Sequence, residues 1–352
     1  MEFAIDAMDL NLEALASASG TEVAFLQNVI DRLVHPYSRV SIEKRTGGIR
    51  NLDVPRDELL LTQRWVLANV LGTARPNSNS FAYLKGSSAT ACAEKHLGAR
   101  WVLHMDLKSF FTSIDERSLY YLFLKEFSLS RLFAFQLARL LTREPLESDD
   151  FVPQKYREPY VSVYRHRYKG WYDSHRLGYL PQGSPTSGAI ANLVARPLDM
   201  RLKATADLGG FTYTRYADDL FFSSYRIPSR EEVAPLLRKI ADDTRLSGFE
   251  INVRKTRVSG PGAALTVLGL HVDGQSLRLR RTTKEQIDRH LWAIGQFGIE
   301  AHSLHSGFDH PADLLSHLRG LLSYANDVSK GWTRSRRDAF SRILDDTHYS
   351  FE

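Results

Sequence analysis

Two adjacent carboxylates, Asp218 and Asp219, sit within the stretch Phe211-Thr212-Tyr213-Thr214-Arg215-Tyr216-Ala217-Asp218-Asp219-Leu220-Phe221-Phe222-Ser223. The stretch reads as strand, tight turn, strand, with both carboxylates at the turn. Neighbouring anions on an apolar hairpin repel each other unless a cation lies between them, and hard cations such as Mg²⁺ take carboxylate oxygens. A third carboxylate, Asp106, ends a similar strand upstream, Trp101-Val102-Leu103-His104-Met105-Asp106. Two strands bringing three carboxylates to one spot form the frame of two-metal phosphoryl transfer. Asp also favours turns for its own sake, so a solvated turn is the competing reading of Asp218-Asp219.

The rest of the chain has the means to build such a frame. Its 352 residues are enough for two or three packed units. With 43% hydrophobic and 25% charged residues it is globular rather than disordered. A net charge of +5 leans modestly toward a polyanionic partner. The single cysteine, Cys92, excludes an internal disulfide framework and fits a reducing compartment. No apolar run has the length of a membrane span, and the first residues, Met1-Glu2-Phe3-Ala4-Ile5-Asp6, carry no basic leader, so a cytoplasmic location with no membrane partner is expected.

Apolar spacing predicts a helix over 21–34, with Val23, Leu26, Ile30 and Leu33 on one face, and a hairpin over 38–55 turning at Thr46-Gly47-Gly48. A helix is expected over 56–71, a polar loop over 77–88 and short helices over 118–127 and 131–141. A linker rich in Glu, Asp, Pro and Tyr runs over 144–160. Further on, a long helix is expected over 187–206 and another over 230–246. Strands are expected over 249–253 and 265–272. From about Thr283 to Leu344 the pattern is helical throughout, which puts a boundary near Arg281. The order strand, helices, two strands, helix, strand fits a split βαβ, ferredoxin-like sheet, in which the end of the first strand lies beside the central hairpin. His302, His305 and His310 hint at metal-ligand spacing, but Gly307 and Pro311 interrupt them and no cysteine is near, so a polar loop is expected there.

Six segments, in order from about Ser41 to Gly274, resemble the bacterial reverse transcriptases, and within them the retron type. They are Ile42-Glu43-Lys44-Arg45-Thr46-Gly47-Gly48-Ile49-Arg50, Tyr83-Leu84-Lys85-Gly86-Ser87-Ser88, Met105-Asp106-Leu107-Lys108-Ser109-Phe110-Phe111-Thr112-Ser113-Ile114, Leu180-Pro181-Gln182-Gly183-Ser184-Pro185-Thr186-Ser187-Gly188, Arg215-Tyr216-Ala217-Asp218-Asp219-Leu220, and Asn252-Val253-Arg254-Lys255-Thr256 with Val267-Leu268-Gly269-Leu270 beyond. One Tyr-x-Asp-Asp alone is weak; six segments in order are strong. The resemblance implies an α+β, right-hand polymerase. Residues 1–100 would be N-terminal helices and fingers, 101–281 a ferredoxin-like palm with an insertion at about 144–180, and 282–352 a helical thumb.

By the same resemblance, Asp106 and Asp218 would hold two Mg²⁺ ions with help from Asp219. Lys255 would stand near the leaving pyrophosphate as a proton donor. Lys44 and Arg50 would lie over the phosphates of a deoxynucleoside triphosphate, and Gln182 beside that nucleotide. Phe111 would collide with a ribose 2′-OH, while Phe110, its neighbour, would be core. Ser184 or Ser187 would cap the helix that follows Gly183. Arg165, Arg167 and Tyr168 belong to a basic-aromatic stretch suited to RNA or template, although scattered aromatics on a solvated strand pair fit equally well.

Retron enzymes carry Asn-Ala-x-x-His before the first aspartate strand and Val-Thr-Gly after the lysine segment. Here these read Cys92-Ala93-Glu94-Lys95-His96 and Val258-Ser259-Gly260, so Cys replaces Asn and Ser replaces Thr. His96 is either an RNA contact or a satisfied, partly buried histidine. The resemblance implies a structured noncoding RNA as primer and template, priming from a guanosine 2′-OH, an RNA–DNA hybrid product and a defence setting with an associated effector. A non-retron bacterial enzyme of the diversity-generating or abortive-infection type, and a catalytically silent RNA-binding scaffold, remain as alternatives.

Overall fold

The structure, a computed structural model, describes residues 10–43, 49–145 and 177–347. In chain order the helices are α1 (Leu12–Ser19), α2 (Val23–Ile30), α3 (Asp57–Asn69), α4 (Ala89–Glu94), α5 (Glu116–Glu126), α6 (Arg131–Leu140), α7 (Ser187–Val194), α8 (Arg196–Gly209), α9 (Arg230–Leu246), α10 (Arg281–Phe297), α11 (Ile299–His305), α12 (Pro311–Val328) and α13 (Lys330–Thr347). The strands are β1 (Tyr37–Glu43), β2 (Ile49–Pro55), β3 (Trp101–Asp106), β4 (Thr212–Tyr216), β5 (Asp219–Ser224), β6 (Arg257–Ser259), β7 (Thr266–Val267), β8 (Leu270–His271) and β9 (Arg278–Leu279). This mixed α+β chain packs as two units, one of Met1–Ser87, Met105–Leu220 and Arg230–Thr256, the other of Ser88–His104, Phe221–Ser229 and Arg257–Glu352.

In the first unit, side-chain caps set the helix starts: Asn11, Asp115 and Ser130 accept from the amides of Ala14, Ser118 and Phe133. β1 and β2 pair antiparallel with Tyr37 opposite Pro55 and Glu43 opposite Ile49, which bears out the expected hairpin; its turn residues lie outside the described ones. α2 is shorter than expected. Arg32 at φ 60 turns the chain out of the helix, so Leu33 is left 73% exposed instead of sharing the buried face. The long helix expected over 187–206 is two helices. Pro197 has no amide to offer Leu193, and the Arg196 Nε supplies that carbonyl with a donor at 3.4 Å instead.

The four-stranded sheet runs β4-β5-β3-β6, so the first strand lies beside the central hairpin, as the split βαβ reading expects. The strand expected over 249–253 is not formed. Ile251 makes one isolated bridge to Leu107, and the Asn252 amide donates to the Asp106 carbonyl at 2.7 Å, after which Val253–Lys255 close into a 3₁₀ turn.

In the second unit, the single strand expected over 265–272 is a hairpin of β7 and β8. Leu268 at φ 49 and Gly269 at φ 84 make its two-residue turn, and the Tyr324 hydroxyl donates to the Leu268 carbonyl at 3.2 Å. From Arg281 the chain is helical, and Leu314, Leu315 and Leu318 of α12 are fully buried. His302 and His305 lie in α11, not in a loop, and the buried His302 Nε2 meets the Nδ1 of His290 at 2.9 Å.

His96 is 1% exposed, hydrogen-bonded through Nδ1 to the Ser223 hydroxyl at 2.7 Å, with its ring edge-on to Phe221. Burial pushes its pKa down to about 4, so the folded unit holds the neutral imidazole. An unfolded chain takes up the proton near pH 6.5, so this residue's support is complete above that pH and is lost as pH falls toward 4. The expected loss is up to roughly 3 kcal/mol. Chemical denaturation between pH 7 and pH 4 measures it as the difference in slope between wild type and His96→Asn, since the other histidines contribute to both.

Candidate active site

The β4–β5 hairpin turns through Ala217 and Asp218, and Asp219 opens β5. The Asp218 carbonyl accepts from the Leu107 amide at 2.8 Å, which ties this turn to the end of β3 where Asp106 stands. The Asp106 carboxylate, 6% exposed, accepts from the Asn252 side-chain amide at 3.1 Å on Oδ1 and from the Lys255 ammonium at 2.7 Å on Oδ2. One cavity of about 410 Å³ is lined by Asp106, Asp218, Lys255, Arg50, Gln182 and Phe111, among others. Six residues drawn from five separate segments thus face one space.

Its electrostatics are those of a cation site. Burial, then the charges of Asp219 and Asp106, push the Asp218 carboxyl up to about 6. The hydrogen bond to Asp106 holds the Lys255 ammonium above its ordinary value. Lys255, with a side chain 60% exposed, is a tethered cation that already answers one of the carboxylates. Among the described residues no three His, Cys, Asp or Glu side chains are gathered closely enough to hold an ion by themselves. Two carboxylates on one cavity fit a metal that keeps water and phosphate in its remaining positions, which is how Mg²⁺ is usually held.

Residues 42–272 match the reverse transcriptase (RNA-dependent DNA polymerase) family. The retron Mx162 reverse transcriptase of Myxococcus xanthus is 34% identical over 311 residues, 83% of this chain and 61% of that one. The retron Mx65 reverse transcriptase of the same organism is 32% identical, over 89% of this chain and 67% of its own length. The retron Ec86 reverse transcriptase of Escherichia coli is 26% identical, over 90% and 84%. This chain belongs to the retron reverse transcriptases. It spans less than two thirds of the Mx162 relative, 61% of its length.

In this retron reverse transcriptase the expected site residues fall into three groups. Asp106, Asp218, Lys255, Arg50, Gln182 and Phe111 share the cavity. Asp219 adjoins Asp218 but is not among the lining residues, and the buried His96 has no surface to offer RNA. Lys44, Arg165, Arg167 and Tyr168 lie outside the described residues. The helix after Gly183 is not capped as expected: Thr186 is its N-cap residue and makes no side-chain cap bond. The Ser184 hydroxyl donates to Gln63, and that of Ser187 to the Pro181 carbonyl.

Sequence reasoning passed over three residues. Asn252 holds Asp106, although it stood inside a recognised segment. Asp53, 5% exposed and 3.3 Å from the Arg143 guanidinium, takes its amide to the Gln182 carbonyl at 2.7 Å and so fixes that loop against β2. Tyr83 at φ 58 stands edge-on to Phe111, centroids 5.8 Å apart. Gly188 leaves room for it, since a Cβ there would lie 2.4 Å from Tyr83 Cγ. The atoms met are near the Tyr83 backbone and cannot swing aside. Gly188→Ala is therefore expected to cost about 1–3 kcal/mol of stability, read by chemical denaturation.

Among the described residues no helix is long and apolar enough to cross a membrane.

Proposed function

We propose that the chain is an RNA-directed DNA polymerase that copies a structured noncoding RNA into single-stranded DNA. The observation that carries this reading is the convergence of Asp106 and Asp218 with Arg50, Gln182 and Phe111 on one cavity, in a chain of the retron reverse transcriptase family. The β1–β2 hairpin would serve as fingers, the four-stranded sheet as palm, and the helices from Arg281 as thumb.

Asp106 and Asp218 would hold two Mg²⁺ ions, with Asp219 assisting. Bound there, the ions would lower the pKa of the primer hydroxyl and offset the charge of the triphosphate. Asn252 orients Asp106 for this by holding one carboxylate oxygen. Arg50, exposed on β2 and lining the cavity, would grip the incoming phosphates with a planar fork. Lys255 can swing from Asp106 to the departing pyrophosphate and give up a proton there. Phe111 narrows the space beside a sugar and so favours deoxynucleotides.

The retron family supports the finer reading: the RNA serves as both primer and template, and the DNA is joined to it by a 2′-5′ branch. It also supports a defence role alongside an effector protein. Purifying the chain from its host and sequencing the nucleic acid that accompanies it tests this. Short single-stranded DNA branched from a structured RNA is the expected finding. Unbranched DNA would keep the polymerase and discard this mode of priming. RNA alone, even after Mg²⁺ and all four deoxynucleotides are added, would favour a binding scaffold.

A further inference from the structure

Arg215, three residues before Asp218, is the largest fully buried side chain among the described residues. Its Nε and Nη2 donate to the two carboxylate oxygens of Asp199, at 2.7 Å each. Asp199, on α8, is likewise 0% exposed and also accepts from the Tyr213 hydroxyl at 2.9 Å. The third nitrogen, Nη1, faces the hairpin turn. It donates to the Ala217 carbonyl at 3.0 Å and to the Asn192 Oδ1 at 3.0 Å. Asn192 in turn donates to the Ala82 carbonyl at 2.7 Å.

A buried ion pair is weak evidence for stability, because well-packed apolar residues fill such a space at least as well. What apolar residues cannot do is fix a backbone carbonyl in direction. Here the carbonyl belongs to a residue that needs fixing. Ala217 sits at φ 56, a left-handed conformation that a side chain with a Cβ rarely adopts, in a two-residue turn where Gly or Asn is the usual choice. The turn is pinned at two successive carbonyls, Ala217 by Arg215 and Asp218 by the Leu107 amide. The second bond comes from the residue that follows Asp106, so the two carboxylates are set relative to each other once the first bond holds.

We propose that Arg215 is a positioning residue for the reaction: the Asp199–Arg215–Asn192 clamp holds the left-handed Ala217 peptide and thereby aims the Asp218 carboxylate at the cation site. Arg215 touches neither substrate nor ion, and the inference rests on the polymerase reading of the cavity. Asn192 keeps its own bond to Ala82 when Arg215 is changed, so the Tyr83 wall of the nucleotide pocket stays in place.

The test uses the full chain, an RNA template with its primer, and two variants. Arg215→Lys keeps the charge and loses the fork. The double variant Arg215→Met with Asp199→Asn leaves no unpaired charge, and the new amide still accepts from Tyr213. Both variants are expected to unfold cooperatively and to bind RNA within about threefold of wild type. Nucleotide addition is expected to slow by about 100-fold in kcat, with KM for the nucleotide moved by less than about threefold. Mn²⁺ titration followed by electron paramagnetic resonance is expected to show affinity lower by about tenfold or more.

A folded variant with kcat and Mn²⁺ affinity close to wild type would overturn the proposal. So would a parallel loss of kcat, nucleotide KM and RNA affinity, or the failure of both variants to fold, each of which makes Arg215 a framework residue. If wild type adds no nucleotide, the polymerase reading fails, and the Mn²⁺ titration still decides the clamp.

Discussion

Asp218→Ala is expected to bring DNA synthesis down to a trace and to leave RNA binding nearly intact. Asp218 is half-buried at the hairpin turn and lines the cavity, where burial and two neighbouring carboxylates push its pKa up to about 6. A carboxylate held in such company is costly to keep unless a cation answers it, so on the proposed reading its removal would delete a ligand. The expected fall is roughly 10³-fold or more in the rate of nucleotide addition, equivalent to about 4 kcal/mol of transition-state stabilisation. Folding should survive, because alanine there relieves repulsion and adds no bulk. Asp219→Ala acts in the same sense. Primer extension beside a filter-binding assay with the same RNA checks both variants. Loss of RNA binding in step with synthesis would show that the turn also grips RNA and would break the separation of roles.

The second large effect lies in sugar selection. Both rings line the cavity, but Phe110 is 3% exposed and packs on Phe249, while Phe111 is half-buried and meets Tyr83 edge-on. Phe111→Ala removes a ring from the cavity wall without emptying the core beneath it. Steric discrimination in an apolar pocket is worth about 1–3 kcal/mol, so the ratio of kcat/KM for deoxynucleotides over ribonucleotides is expected to fall by roughly 10–200-fold. Most of the change should come from faster use of ribonucleotides. Single-nucleotide incorporation with matched deoxy and ribo substrates measures it. An unchanged ratio would place the gate elsewhere, and a fall driven by lost deoxynucleotide use alone would make Phe111 a packing residue.

The candidate site was legible where chemistry is written in residue type and order. Asp106, Asp218, Gln182 and Lys255 sit in short segments whose sequence alone marks them, and the structure gathers them on one cavity. Phe110 and Phe111 both line the cavity and lie in a turn rather than in an extended segment, so the alternation of an extended chain does not separate them; burial does, with Phe110 3% exposed and Phe111 half-buried. What could not be read is partnership across the chain. Asp199 and Arg215 pair between a helix and a strand, and nothing in either residue's neighbours says so. His96 is a lone histidine in the turn after the short α4, with no periodicity to say which way it faces. Apolar runs of a few residues were the weak point of the fold reading. The run over 265–272 suits a strand equally well as a hairpin until the left-handed Leu268-Gly269 pair is seen. Around Ile251 the chain makes only one antiparallel bridge to Leu107, with the Asn252 amide on the Asp106 carbonyl, before Val253–Lys255 closes into a 3₁₀ turn and ends the pairing.

On the proposed reading, Asp106 and Asp218 support templated DNA synthesis on RNA. The measurement that meets it most directly is incorporation of labelled deoxynucleotides by the purified chain on a defined RNA template, with Mg²⁺, with chelator, and with Asp218→Ala in its place. The expected products complement the RNA in sequence, form with Mg²⁺ and are absent in the other two. Untemplated addition, or synthesis that survives the loss of Asp218, would contradict that reading.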